Sequence, residues 1–320
     1  MSSTPIIELN DVHKHFGPVP LRAVDGVSLA LTEGETVGLV GESGCGKSTL
    51  GRMIVRLDEP TTGEIRFDGA RLDSADAQAM RRLRRSVQMV FQDPYSSLNP
   101  RLTIGQSINR AWEINPGIID RSDRPARIAE LLEQVGLLPD RASWYPHQLS
   151  GGQRQRVAIA RALALAPRLI VCDEPVSALD VSVQAQVLKL LRAVQSASNV
   201  SYLFVSHDLG IVESFAQRTL VMYLGRLIES GPSKELFRAP AHPYTAALVA
   251  AAPSVHRSQA ELEERNLLDG DPPSPLAPPS GCRFRTRCPK AQPLCAEVDP
   301  TLAPTTNARA VACHFPLTSN

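Results

Sequence analysis

The chain has almost no net charge and no long apolar run. Its 320 residues include 34 Lys and Arg against 33 Asp and Glu, which gives a formal net charge of +1. A charge so close to zero provides no global field for binding nucleic acid or an anionic membrane surface. The most apolar stretch, residues 157–172, is interrupted by Arg161, Pro167 and Arg168, so we expect no membrane span. Any link to a membrane is therefore expected to go through a partner protein.

A secretory signal peptide is also missing from the sequence. The first nine residues, MSSTPIIEL, contain neither a basic segment nor a long apolar one. We therefore expect a cytosolic chain, and stable disulfides are rare in that compartment. Six cysteines are present, and four of them lie beyond residue 280. In this setting such a cluster favours metal binding over disulfides.

Residues 41–49 read GESGCGKST and fit the phosphate-loop pattern G-x-x-x-x-G-K-[ST]. Glycines in such a loop let backbone N–H groups turn towards phosphate oxygens, the lysine reaches the β- and γ-phosphates, and the following hydroxyl binds Mg²⁺. An apolar run at 35–40 precedes the loop and a helical pattern follows from Ser48, which is the required strand–loop–helix context. The candidate ATP and Mg²⁺ ligands are Gly41, Ser43, Gly44, Cys45, Gly46, Lys47, Ser48 and Thr49.

A second string, LSGGQ, stands at residues 149–153 and precedes a basic helical stretch that runs from Gln153 to Ala164. The positive end of a helix favours an anionic phosphate. Together the two strings resemble the nucleotide-binding subunits of ABC transporters. In that family ATP lies between two subunits, one giving the phosphate loop and the other LSGGQ. The resemblance implies that the partner subunit's ATP is bound by Ser150, Gly151, Gly152 and Gln153.

Asp173 and Glu174 end an apolar strand predicted at 169–172. In this position Asp173 can hold Mg²⁺, and Glu174 can polarise the water that attacks the γ-phosphate. Taken alone, an ordinary acid pair at a strand end would explain them equally well. The phosphate loop upstream favours the catalytic interpretation.

Three further residues take their roles from the resemblance. Gln92 follows the predicted strand at 87–91 and resembles the Q-loop glutamine, which contacts Mg²⁺ or water. His207, in the string FVSHD, resembles the switch histidine that positions water at the γ-phosphate. Asp180, in SALD, resembles the D-loop at the dimer seam. Away from the motif set, a solvated glutamine and a structural histidine would be the ordinary interpretations.

Phe16 is the candidate for stacking on adenine, because stacking needs only a flat π-face. The alternative is a core phenylalanine on the first sheet. The neighbouring His13, Lys14 and His15 could be taken for a metal site, but a solvated loop is the favoured interpretation.

Alternating strand and helix patterns predict a parallel sheet covered by helices. Residues 6–9 and 24–31 alternate as antiparallel strands would, and residues 93–165 are helix-rich. The fold class is therefore α/β: a P-loop NTPase (RecA-like) core with an antiparallel β subdomain, a helical ABC subdomain at about 93–165, and a small Cys- and Pro-rich C-terminal extension. We expect the nucleotide-binding domain at 1–255 and the extension at 256–320.

Strings outside the ATP motifs narrow the resemblance to the ATPase subunits of dipeptide and oligopeptide importers. They are FQDPYSSLNPR at 91–101, EPVSALDVS at 174–182, HPYT at 242–245 and the proline-rich run from 272 to 284. The resemblance implies a second ATPase subunit, two transmembrane permeases and an extracytoplasmic solute-binding protein as partners. It places the chain peripherally at the cytoplasmic face of the cell membrane, without nucleic acid.

Alternatives remain for the function. Relatives of these importers carry nickel, glutathione or murein peptides. A non-transport ABC ATPase acting on DNA or ribosomes is a less favoured reading, since such proteins often carry two cassettes or a long coiled coil. A small-molecule kinase would have no need of the LSGGQ string.

The four clustered cysteines are spaced Cys282-x5-Cys288-x6-Cys295-x17-Cys313. Four thiolates could hold a [4Fe–4S] cluster or Zn²⁺, although the spacing matches neither the common ferredoxin run nor a zinc ribbon. Resemblance to the importer group favours the cluster over zinc. The remaining alternative is four reduced thiols in a loop-rich cap.

Overall fold

The computed structural model describes residues 5–18, 21–72, 76–93, 97–252, 271–305 and 308–317. The chain divides into two compact units, each assembled from separate stretches of sequence. The first comprises residues 1–7, 31–35 and 67–203, and the second comprises residues 8–30, 36–66 and 204–320. The predicted domain boundary between residues 255 and 256 lies outside the described residues, so the two domain limits stay a prediction.

The strands are numbered in chain order as β1 (Ile7–Phe16), β2 (Leu21–Leu31), β3 (Thr36–Val40), β4 (Thr62–Phe67), β5 (Ala70–Arg71), β6 (Val87–Val90), β7 (Leu169–Asp173), β8 (Ser201–Val205), β9 (Arg218–Tyr223), β10 (Arg226–Pro232), β11 (Ala303–Pro304) and β12 (Ala310–Val311). The helices are α1 (Lys47–Ile54), α2 (Ala77–Ser86), α3 (Ile104–Ile114), α4 (Arg124–Gln134), α5 (Gly151–Leu163), α6 (Val181–Ser198), α7 (Leu209–Phe215), α8 (Ser233–Arg238), α9 (Pro243–Ala251) and α10 (Leu294–Glu297). In the described part of the chain, no helix combines the length and the apolarity needed to cross a membrane.

Parallel strands form the sheet of the first unit. β6 pairs with β7 in parallel, from Val87 opposite Leu169 to Val90 opposite Cys172. β8, which begins in this unit, lies on the other side of β7. All five residues of β7 are buried. Such short, continuously apolar strands are typical of a parallel sheet that is covered on both faces.

Helices α3, α4 and α5 fill the stretch that the sequence predicts to be helix-rich. Two short 3₁₀ turns, Pro139–Ser143 and Pro146–Gln148, connect α4 to α5. Trp112 of α3 is fully buried, and its indole N–H donates to the Ala164 carbonyl at 2.8 Å, just beyond α5. A buried tryptophan supplies a large apolar area only when its N–H is satisfied, as it is here.

The second unit contains four neighbouring strands in the order β12–β10–β9–β3. β3 runs parallel to β9, and β10 returns antiparallel with a bulge between Leu227 and Glu229. β1, β2 and β4, which lie mostly in this unit, are neighbours in a separate sheet in the order β2–β1–β4. The solvated loop expected at 13–15 is wrong, because those three residues belong to β1.

The C-terminal extension is less loop-like than the sequence suggests. Residues 271–280 contain neither helix nor strand, as their prolines predict. Further on, β12 pairs antiparallel with β10, placing Val311 opposite Glu229, and β11 pairs with β12. Arg309 reaches Glu229, which is fully buried, with an N–O distance of 2.8 Å. The extension therefore continues the sheet of the second unit.

Candidate functional site

The predicted phosphate loop connects β3, whose five residues are all buried, to α1. Gly46 precedes the helix with φ of 108°, in the region that favours glycine. A Cβ added at Gly46 would lie 2.0 Å from the Ala23 carbonyl oxygen, and one added at Gly41 would lie 2.1 Å from the Met222 carbonyl oxygen. The loop can take this path only because both positions lack a side chain.

Lys47 is 5% exposed, and its ammonium is held inside the loop. Its Nζ donates to the carbonyl oxygens of Gly41 at 2.8 Å and Glu42 at 2.9 Å. Ser43, Gly44 and Ser48 are exposed on the loop. A cation fixed in this way has two backbone acceptors that phosphate oxygens can replace.

Cys45 and Thr49 complete the predicted ligand set of the loop. Cys45 is buried, and burial raises the pKa of its thiol, so the side chain is protonated near neutral pH. Thr49 is half-buried in the first turn of α1. Cys45 therefore offers no thiolate to a ligand, and it contributes to the loop through its backbone.

Two residues that the sequence motifs did not indicate as site residues contact the same loop. Arg287 of the C-terminal extension holds both carboxylate oxygens of Glu42, at 2.9 and 3.0 Å. The hydroxyl of Tyr244, in α9, accepts from the Glu42 backbone N–H at 2.8 Å. The string HPYT contained Tyr244, but nothing local in the sequence indicated its partner.

The acid pair lies at the end of β7 in the first unit. Asp173 is the last residue of the strand and is 7% exposed. Glu174 follows with φ of 47°, a left-handed conformation that costs a non-glycine residue about 1–3 kcal/mol. The Nε2 group of Gln92 donates to Glu174 Oε2 at 2.9 Å. Two of the three predicted catalytic residues are thus in direct contact, and Gln92 has a defined partner.

The LSGGQ string forms the start of α5, which begins at Gly151 rather than at Gln153 as expected. Ser150 is the N-cap: its hydroxyl accepts from the Gln153 N–H at 3.3 Å, and the Gln153 side-chain oxygen accepts from the Ser150 N–H at 3.0 Å. This reciprocal pair is a capping box. Gln153 therefore has a structural role, whichever ligand the helix start binds.

The predicted D-loop lies next to LSGGQ. A Cβ at Gly152 would come within 2.4 Å of the Val183 side chain, in the first turn of α6. Asp180 caps that helix, accepting from the Ser182 hydroxyl at 2.6 Å and the Val183 N–H at 3.0 Å. These hydrogen bonds hold the pKa of Asp180 below its usual value. The first unit thus places two of the predicted dimer-facing elements side by side.

His207 and Phe16 lie in the second unit. His207 is exposed and lies two residues after the end of β8, immediately before Asp208, which caps α7. Phe16 is the last residue of β1 and is 38% exposed, so the alternative of a core phenylalanine is wrong. The Lys14 ammonium lies 4.9 Å from the centre of its ring. A half-open aromatic face at a strand end is compatible with stacking.

The four clustered cysteines come together in the second unit. They line one small cavity with His242 and Phe284, and none of them forms a disulfide. Burial raises the pKa of Cys282 to about 11 and also raises the pKa of Cys288 and Cys313. These thiols are therefore protonated near neutral pH, and a metal bound there would displace protons.

Among the residues that the structure describes, only one group of three or more potential metal ligands has its ligand atoms within 4.8 Å of one another: His13, His15 and Asp25. Arg283 and Arg226 both pair with the carboxylate of Asp25. Burial alone would raise the pKa of Asp25, but Arg283, His13 and Arg226 together hold it well below its usual value. Two guanidinium groups on the same carboxylate oppose a cation, so this group is better described as an ion-pair network.

Comparison with known protein families gives two matches. The family "ABC transporter" matches residues 24–177, which include the phosphate loop, LSGGQ and the acid pair. The family "Oligopeptide/dipeptide transporter, C-terminal region" matches residues 228–295, which include Tyr244, Arg287 and three of the clustered cysteines.

Similar proteins extend these matches over nearly the whole chain. The "Putative oligopeptide transport ATP-binding protein YkfD" of Bacillus subtilis is 49% identical over 318 residues, covering 98% of this chain and 97% of YkfD. The "Probable peptide ABC transporter ATP-binding protein y4tS" of Sinorhizobium fredii is 52% identical over 321 residues, covering 98% and 90%. Among solved structures, the ATP-binding cassette MJ0796, a dimer in a post-hydrolysis state with ADP and Pi, has a TM-score of 0.64 and 32% identity, covering 71% of this chain and 98% of that one.

Proposed function

Because this chain belongs to the ATP-binding subunits of ABC transporters, in the oligopeptide and dipeptide import group, we propose that it hydrolyses ATP to drive the uptake of small peptides. The observation that supports this function is the sequence identity to peptide-transport ATPases. It extends to about half of all positions, over nearly the full length of the chain. The match of the C-terminal region favours this function over a non-transport ATPase.

Each predicted ATP-site residue has a role in this proposal. The loop from Gly41 to Thr49 cradles the phosphates, and Lys47 exchanges its two carbonyl acceptors for phosphate oxygens. The Ser48 hydroxyl and the Asp173 carboxylate are each suited to bind Mg²⁺, which would neutralise charge on the β- and γ-phosphates. Glu174 orients and polarises the attacking water as general base. The strained backbone of Glu174 and its hydrogen bond from Gln92 support this assignment.

Two more roles follow from exposure. His207 lies unburied after β8, where an imidazole can hydrogen-bond the γ-phosphate. Phe16 offers its ring to adenine.

A second ATPase subunit would complete the machinery. Ser150, Gly151, Gly152 and Gln153 begin α5, where the helix dipole favours an anion, and Asp180 lies next to them through the contact of Gly152 with α6. We assign this surface to the ATP held by the partner. ATP then stabilises the closed dimer through contacts that only the closed form makes, and hydrolysis reopens it.

A groove in the first unit is the surface that we propose for the permeases. This groove of about 510 Å³ is lined by polar and basic side chains, such as Arg84 and Arg110, and by apolar ones, such as Leu102 and Ile114, the latter 73% exposed. An exposed apolar residue in a basic rim is typical of a protein–protein contact. We propose that two transmembrane permeases dock here and hold the chain at the cytoplasmic face of the membrane, and that an extracytoplasmic solute-binding protein delivers the peptide.

We propose that the cysteine cavity binds a [4Fe–4S] cluster rather than zinc. Tetrahedral zinc with bonds of about 2.3 Å places its sulfurs about 3.8 Å apart. No three of the four cysteine sulfurs, all in described residues, are mutually within 4.8 Å. A larger group suits this spacing, and Lys290 on the cavity wall suits the negative charge of a thiolate-bound cluster. Cys282, Cys288, Cys295 and Cys313 would be its ligands.

The substitution Glu174→Gln tests the catalytic assignment. In the assembled importer it should lower ATP hydrolysis at least 100-fold, because water loses its general base, and ATP should still be bound. Phosphate release measures the first effect. Retention of labelled ATP on a dimer in size-exclusion chromatography measures the second.

The matched control is Glu133→Gln, since Glu133 is exposed on α4 and the same charge is removed there. Its rate should equal that of the wild type. A Glu174→Gln importer that hydrolyses ATP at the wild-type rate would remove Glu174 from the mechanism, and a wild type that neither binds nor hydrolyses ATP would refute the function itself.

A further inference from the structure

Glu42, the second residue of the phosphate loop, is bonded at three separate points. Its carboxylate accepts two parallel bonds from Arg287, at 2.9 and 3.0 Å. Its backbone N–H donates to the Tyr244 hydroxyl at 2.8 Å. Its carbonyl accepts from Lys47 Nζ at 2.9 Å. No proposed chemical role requires a glutamate at this position, so its bonds call for another explanation.

The side chains that bind Glu42, those of Arg287 and Tyr244, are both buried. The Arg287 side chain is 6% exposed, whereas that of Glu42 is 21% exposed. Tyr244 is fully buried and packs against Phe284, with ring centres 5.4 Å apart. The Arg287 N–H donates to the Phe284 carbonyl at 3.0 Å, which fixes the arginine to the same cluster. A bidentate arginine held in this way has a set direction as well as a charge.

We propose that Arg287 and Tyr244 are positioning residues for ATP, which act through Glu42 to hold the phosphate loop open around Lys47. This inference rests on the proposed role of the loop in binding phosphates. Arg287 fixes the carboxylate and Tyr244 fixes the peptide before Glu42, so the loop keeps its path while Lys47 exchanges the Glu42 carbonyl for a phosphate oxygen. The C-terminal extension, 245 positions away in sequence, is thereby part of the nucleotide-binding apparatus.

The alternative is that the Arg287–Glu42 pair only attaches the extension to the rest of the second unit. The two cases differ in what a substitution changes. A pair that only attaches the extension affects unfolding, and the folded fraction then binds ATP as before. A pair that positions the loop affects binding in the folded protein. It raises KM for ATP while leaving kcat nearly unchanged, because Arg287 does not touch the reacting atoms.

The test measures the equilibrium Kd of the full chain for a fluorescent ATP analogue with Mg²⁺, below the thermal midpoint of each variant. Arg287→Ala should raise Kd about 10-fold, and the steady-state KM of the assembled importer should rise in parallel. Arg287→Lys keeps the charge but loses the planar fork, so its Kd should lie in between. Glu42→Gln should resemble Arg287→Ala, and the double variant should be no worse than the single ones, since both remove the same contact.

Arg285→Ala is the matched control. Arg285 lies in the same loop, but its guanidinium donates to the Ser280 carbonyl at 2.9 Å rather than to the phosphate loop. Its Kd should be that of the wild type. If Arg287→Ala fails to fold, Glu42→Gln decides the question from the loop side.

Wild-type Kd values in both Arg287→Ala and Glu42→Gln would overturn the positioning role and leave the ATPase function intact. A wild-type chain that does not bind the analogue would instead refute the assignment of the phosphate loop, and this inference with it.

Discussion

At the scale of single residues, two glycines of the phosphate loop lack a side chain for different reasons. Gly46 and Gly44 both have positive φ, of 108° and 77°. Their surroundings differ: a Cβ at Gly46 would meet the Ala23 carbonyl oxygen at 2.0 Å, whereas a Cβ at Gly44 has no atom within 4 Å. The pattern G-x-x-x-x-G-K-[ST] requires glycine at position 46 and leaves position 44 open, and the structure shows a steric requirement at Gly46 and only a conformational one at Gly44.

Alanine substitutions at the two glycines should therefore have unequal effects on stability. Gly44→Ala should cost about 1 kcal/mol, the strain of a left-handed alanine. Gly46→Ala should cost roughly 3 kcal/mol or more, because backbone must also move away from the new methyl group. Urea unfolding of both variants beside the wild type measures the difference. Equal losses would show that the contact with Ala23 does not constrain the loop.

The residues of the proposed ATP site differ in how far the sequence alone could indicate them. Lys47, Asp173 and Glu174 stand in short strings whose chemistry is local, so their positions were predictable. Arg287 was not, because its partner Glu42 is 245 positions away and no spacing rule connects them. The same holds for the orientation of Phe16: a phenylalanine at a strand end gives no sign of which side it faces, and the structure leaves it 38% exposed.

At the scale of elements, Asp25 connects β2 to β10 and to the C-terminal extension. Its buried carboxylate pairs with Arg226 of β10 and with Arg283 of the extension, and His13 Nδ1 of β1 lies 2.8 Å from it. The Arg283 side chain is only 6% exposed, so it depends on this carboxylate for its charge to be compensated. The carboxylate of Asp25 thus connects β1, β2, β10 and the C-terminal extension.

Removal of this anion should weaken the fold in a pH-dependent way. The pKa of Asp25 is lower folded than unfolded, so its contribution is complete above the unfolded value of about 3.9 and is lost as pH falls through the lower folded value. Asp25→Asn should lower the free energy of unfolding by about 3 kcal/mol at pH 7, since Arg283 is left buried and unpaired. The gap to the wild type should narrow as the pH is lowered from about 5 to 2.

Urea unfolding across that pH range measures the gap, with Asp11→Asn as the control. Asp11 lies on the neighbouring strand and its side chain is 81% exposed. The control should stay within about 0.5 kcal/mol of the wild type. A constant gap for Asp25→Asn at every pH would show that the charge of Asp25 does not stabilise the fold.

Elements with a continuous apolar or basic sequence pattern were predictable, and the two-residue strands were not. The basic helix at 153–164 and the apolar strand at 169–172 were predicted because their patterns are continuous, and they occur as α5 and β7. β11 and β12 have two residues each, too few to show alternation. They exist because β10 offers them hydrogen-bonding partners, which is a tertiary effect that no local pattern contains.

At the scale of the whole molecule, the extension brings distant cysteines to one cavity beside the aromatic cluster of the second unit. Cys282 and Cys313 are 31 positions apart in sequence, yet both line it. The sequence predicted a metal-binding group from the number of these cysteines and the expected cytosolic compartment.

Metal analysis of protein purified without oxygen should find about four iron and four sulfide per chain, as the composition of a [4Fe–4S] cluster requires. Cys288→Ser should lose the iron together with the brown colour. Cys172→Ala is the control, because Cys172 is buried in β7 of the first unit, and it should retain the iron. One zinc per chain without iron would show that the cavity is a zinc site. Absence of both metals would show that the four cysteines are reduced thiols.

The strands that end the sheet in the second unit also determine which sheet edge is open to other molecules. An open sheet edge is a template on which the strand of another molecule can grow. Here β10 is covered by the chain's own β12, and the outermost strand, β11, is two residues long and ends in Pro304, which has no N–H to offer. The C-terminal extension, which contacts the phosphate loop, thus also covers this edge of the sheet against pairing with strands of other molecules.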